Sequence, residues 1–128
     1  MAIGESNLLA GWIGMLGGAL SGAAVGLFFH QERWMGGYGS FRRRLVRLGH
    51  ISFFGLGFLN LLFGLSLRAI ALPPANAQIA SLGFIAGAIA MPLCCFLAAW
   101  REPLRHLFPI PVLCLVAGMV SVLAGWPR

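Results

Sequence analysis

Residues 37–68 read GYGSFRRRLVRLGHISFFGLGFLNLLFGLSLR, and this stretch decides the fold class. A glycine-rich lead-in runs into Arg42, Arg43, Arg44 and Arg47, then His50, then about twenty mostly apolar residues interrupted by Asn60. Such a run is long enough to cross a bilayer as a helix. The arginines before it are the charges that hold one helix end on the cytoplasmic side of a membrane.

The rest of the chain agrees. Of 128 residues, 59% are hydrophobic and 9% charged, and the mean hydropathy is +0.89. Soluble domains carry roughly 25% charged residues, so the chain belongs to the membrane class as a single domain. Apolar spans are expected over residues 8–30, 48–67, 79–100 and 109–126. The fold class is therefore an all-α integral membrane protein, four transmembrane helices in an antiparallel up-down-up-down bundle. The first span lacks a basic leader and reads as a membrane helix, not a signal peptide. Ser6 or Asn7 is its expected N-cap. ALPPANAQ (71–78) reads as a tight turn in which Asn76 caps the third span, and Pro92 as a kink within that span.

Counting charges sets the orientation. Five arginines (33, 42, 43, 44, 47) lie between spans one and two and two (101, 105) between spans three and four, against Arg68 and Arg128 on the other side. Loops 31–46 and 101–108 are expected in the cytoplasm, with both termini outside, in a bacterial inner membrane. The net charge of +6 is confined to short loops with no basic arm or soluble module, so the expected partners are anionic lipids or other membrane subunits and not nucleic acid.

Gly14, Gly18, Gly22 and Gly26 recur every fourth residue and form one helical stripe. On span two, Gly57, Asn60 and Gly64 share a face with His50 and Phe53. These small and polar positions are expected to pack helix on helix, with Asn60 hydrogen-bonded across the seam to fix partner and register.

Two metal chemistries are open to the polar residues. His30, His50 and His106 come to one side of the membrane under this topology. Histidines at matching depth on antiparallel helices can ligate a b-type haem, with Arg42 to Arg47 pairing its propionates. Cys94, Cys95 and Cys114 are soft ligands of the kind copper takes, although adjacent cysteines diverge by about 100° on a helix. No acid lies within a span, because Glu5, Glu32 and Glu102 all fall at interfaces or in loops. Proton-coupled transport and acid–base catalysis therefore lose their usual groups, and no enzyme is expected.

GGALSGAAVG (17–26) and FLNLLFG (58–64) resemble the small bacterial fluoride channels, which would imply an ion-conducting homo-oligomer. Those channels carry a Thr-Thr-Phe-Ser stretch in the third span, where this chain reads ASLGFIAGAIAMPLCCF. The small multidrug exporters carry a glutamate in span one, absent here. The leading expectation is thus a small accessory subunit of a larger inner-membrane complex, such as one of electron transfer or photosynthesis. It would pack through glycine faces and bind anionic lipid or a partner through Arg42, Arg43, Arg44 and Arg47, with no cofactor. The alternative is a membrane cytochrome using His50 with His30 or His106; a homo-oligomeric channel or transporter stands third.

Overall fold

Ser40 starts the second helix in the way serine commonly does. Its hydroxyl accepts from the backbone N–H of Arg43 at 3.2 Å and itself donates to the Met35 carbonyl at 2.7 Å, satisfying an otherwise orphan N–H of the first turn. In the computed structural model, which describes residues 2–127, α2 consequently begins at Phe41 and runs to Ala69. The arginine run is helix rather than loop. Ahead of it, Met35, Gly36 and Gly37 all have positive φ (54°, 88° and 97°). Glycine takes this left-handed path without steric cost, so the chain reverses within a few residues.

The other helices are α1 (Ile3–Leu27), α3 (Pro74–Trp100) and α4 (Pro109–Ala124), with short 3-10 turns at Trp34–Gly36 and Glu102–Leu107. All four helical segments are long and apolar enough to cross a membrane, the last counted with its leading turn. No strand occurs among the described residues. This is a multi-pass, all-helical membrane architecture. Arg128, counted above for topology, lies outside the described residues.

Three further boundaries differ from the sequence reading. First, α1 starts at Ile3 because the Glu5 carboxylate accepts from the Ala2 N–H at 3.1 Å. Asn7 is therefore a full turn inside the helix, and it is buried. Second, α1 stops at Leu27 and leaves His30 in the following turn. Third, Pro74 opens α3, where its missing N–H costs nothing. Asn76 lies inside the helix and crosses to α4, where its Nδ2 donates to the Ser121 carbonyl at 2.9 Å. Pro92 is buried within a continuous α3.

Consecutive helices run antiparallel, as their paired residues show. Gly4 faces Gly64, Gly11 faces Gly57 and Gly22 faces His50 across α1 and α2. Gly118 faces Phe84, and Gly83 faces Cys114, across α3 and α4. These seams are close. A Cβ added at Gly11 would lie 2.9 Å from the Gly57 carbonyl oxygen, and one at Gly83 only 2.5 Å from that of Cys114. Backbone proximity of this kind is how helices associate when lipid removes the hydrophobic drive between them.

The helices form an open row with one folded edge. α1 lies along α2 and touches α3, α2 lies along α3, and α4 packs on α3 without a close backbone approach to α1 or α2. Two lateral grooves result. One, about 530 Å³, lies between α1 and α3 over Phe53. The other, about 350 Å³, lies between α2 and α4 beside Phe63 and Phe84.

Candidate functional site

At the centre of the helix row sits a buried amide cluster. Asn60 accepts at Oδ1 from Asn7 Nδ2 at 2.7 Å, and Asn7 Oδ1 accepts from the Ser81 hydroxyl at 2.6 Å. Asn60 Nδ2 donates to the carbonyls of Leu56, in its own helix, and Phe84, in α3, at 2.9 and 3.2 Å. Asn7 and Asn60 have no exposed surface. Each asparagine therefore holds bonds on both its oxygen and its nitrogen, and three helices share one network. Among the described residues no buried side-chain N or O atom lacks a partner. Sequence reasoning singled out Asn60 but placed Asn7 at a helix cap. The signal that finds it is spacing: Asn7, Gly11, Gly14 and Gly18 fall on one α1 stripe.

The four arginines point in different directions. Arg43, only 2% exposed, threads under the end of α1. Its Nη1 donates to the carbonyls of Gln31 and Glu32 at 3.1 and 3.2 Å, and its Nη2 to that of Phe29 at 3.0 Å. The rings of Phe29, Trp34 and Tyr38 lie 5.1 to 5.7 Å from its guanidinium carbon. These carbonyls belong to the turn that follows α1, where a charged donor satisfies several of them at once, and the aromatic faces add cation–π attraction. Arg43 is thus held inside the protein, and the arginines that face outward are Arg42, Arg44 and Arg47. The helical wheel carries the sign of this, because Arg43 is seven residues before His50 and shares the inward face.

Arg47 lies 4.3 Å from the Tyr38 ring and donates to the Tyr38 carbonyl at 3.3 Å. Arg42 crosses to α3, where Nε donates to the Ala99 carbonyl at 2.9 Å. Arg44 is exposed. Beside Arg42 a second, more polar hollow of about 350 Å³ forms between the start of α2 and the end of α3, lined by Ser40, Trp100 and Glu102 among others. The Glu102 carboxylate is paired with Arg105 at 2.6 Å.

The three histidines sit in different settings. His30 and His106 are exposed, whereas His50 is partly buried against α1. Its Nδ1 lies 3.2 Å from Ser21 Oγ, a hydroxyl that also reaches the Gly18 carbonyl. Phe54 meets the imidazole edge-on at 5.6 Å. A Cβ at Gly22 would come within 2.5 Å of His50 Cε1, so α1 itself fills the space over that ring. No group of three or more His, Cys, Asp or Glu side chains with metal-binding proximity occurs among the described residues. Cys94 and Cys95 are buried, and Cys114 is partly buried.

Of the glycine stripe, Gly14, Gly18 and Gly22 meet Gly57, Phe54 and His50, while Gly26 has nothing within 4 Å. Gly57 and Gly64 complete the seam from the α2 side, against Gly11 and Gly4. The stripe therefore joins this chain's own helices. Compared with known protein families, with characterised proteins and with solved structures, the chain matches none.

Proposed function

We propose that this chain is an accessory packing subunit of a larger membrane complex in a bacterial inner membrane. Its arginine-bearing end faces the cytoplasm and both termini face outward. The observation that carries this reading is the division of labour between core and surface. The buried polar side chains bond to groups within the chain, and the glycine seams join its own helices. The outer faces present large apolar residues from every helix, among them Trp12, Leu62, Ile89 and Leu123, each more than 60% exposed. Such a unit offers a rigid, apolar, grooved flank to neighbours in the bilayer, with Arg42, Arg44 and Arg47 set to meet anionic lipid or an acidic partner surface.

Native gel electrophoresis after mild detergent extraction tests it. Co-migration with larger polypeptides is expected, with release only in harsher detergent. A homo-oligomer that passes ions in liposomes would instead establish a channel. A dithionite-reduced minus oxidised visible spectrum of the isolated chain is expected to be flat, because α1 occupies the His50 face. A sharp haem band abolished by His50→Ala would replace the subunit reading with a cytochrome.

A further inference from the structure

The α1/α3 groove and the hollow beside Arg42 lie on one track. Ile85, Ala88, Ile89, Pro92, Leu93 and Phe96 line the groove on α3. Ala99 and Trp100, which border the polar hollow, continue the same stripe one turn further on. On α2, Phe53 in the groove and Arg42 in the hollow are about three turns apart on one face. On α3 the groove extends about 16 Å along the helix axis, from Ile85 to Phe96, and its α1 wall runs from Gly14 back to Ser6 in the first turn. It is almost wholly apolar and opens sideways. The hollow beyond it carries Arg42, whose Nε is fixed on Ala99 while its terminal nitrogens have no partner among the described residues. Trp100 is exposed there with Arg101 stacked 5.2 Å over its ring, and the one acid of the hollow is paired with Arg105.

Apolar along its length and cationic at its mouth, the track matches the layout of a single anionic lipid, one charged head on an apolar tail. We propose that this track binds one anionic phospholipid, with an acyl chain in the α1/α3 groove and the phosphate on the terminal nitrogens of Arg42. A planar guanidinium can take two phosphate oxygens at once. The inference rests on the reading that the arginine-bearing end faces an anionic leaflet, and it names the ligand of that end.

The test is native mass spectrometry of the full chain released from nanodiscs holding equal phosphatidylglycerol and phosphatidylcholine. Wild type and Arg33→Gln, exposed at the same end of the protein, should each retain one phosphatidylglycerol. Arg42→Gln should weaken retention roughly ten- to hundredfold, the scale of a charge-assisted hydrogen bond. Ala88→Phe and Leu93→Trp, which fill the groove from a partly buried and an exposed position, should do the same with unchanged thermal melting. Equal losses in Arg33→Gln and Arg42→Gln would mean diffuse charge attraction and overturn the site. So would full retention in both groove-filling variants, or equal retention of the zwitterionic lipid. Specific retention by a chain that co-migrates with no larger protein would sink the subunit reading alone; co-migration without retained lipid would sink this inference alone.

Discussion

Replacing Asn60 with alanine is the most informative single perturbation of the fold. The change removes two interhelical hydrogen bonds, from Asn7 and to the Phe84 carbonyl. Each is worth about 0.6 kcal/mol on average inside a membrane protein, so about 1 kcal/mol goes with them. It also leaves the Asn7 amide nitrogen buried without its acceptor, at a further cost of about 1–3 kcal/mol. The loss should total about 2–4 kcal/mol, or roughly a 30- to 700-fold shift in the unfolding equilibrium. Unfolding in mixed dodecylmaltoside and dodecylsulfate micelles, followed by tryptophan fluorescence, reads this directly. Asn7→Ala should cost a similar amount, and the double variant should cost less than the two together by about 1 kcal/mol or more. Strict additivity, or a single-variant loss under about 0.5 kcal/mol, would refute the cluster as a three-helix lock.

Gly83→Ala should destabilise the α3/α4 seam by about 1–3 kcal/mol, since its new methyl meets backbone. Gly26→Ala, which meets nothing, should be neutral or stabilising; equal melting of the two would deny the seam. Arg43→Lys should lower stability by about 2 kcal/mol or more, because one ammonium cannot copy a fork that spans three carbonyls. Arg44→Lys should change the same melting curve by less than about 0.5 kcal/mol. In a cysteine-free background, Gly39→Cys should be shielded from a membrane-impermeant thiol reagent in whole cells and Ala71→Cys labelled; the reverse pattern would invert the topology.

The helices were legible because apolar runs of bilayer length leave few alternatives, and the inward face of α2 was legible from His50 to Gly64 by its spacing. Two side chains escaped for a local reason. A serine–asparagine pair at the head of an apolar run looks the same whether it caps a helix or lies within one. The Glu5 contact with the Ala2 N–H, a detail of rotamer and backbone, decides for the latter. Likewise a run of basic residues reads as one charged surface until helical rotation separates it, turning Arg43 inward and Arg44 out. The peripheral place of α4 has no counterpart in hydropathy. A short connection fixes which helix is next in sequence, but Gly83, Gly87 and Gly118 decide how α3 and α4 meet.

The amide cluster also constrains how the protein is made. Asn7 and Ser81 are 74 residues apart, so at the ribosome's pace of about 5–20 residues per second, α1 leaves the exit tunnel roughly 4–15 seconds before its last polar partner does. Through that interval the Asn7 amide must be satisfied by water, headgroups or the translocon. Its position in the second turn of α1 keeps it within reach of the interface. Burial of α1 is thereby timed to the arrival of α2 and α3, and a ribosome stalled before α3 would leave a nascent chain whose first helix still holds a polar side chain open to quality control.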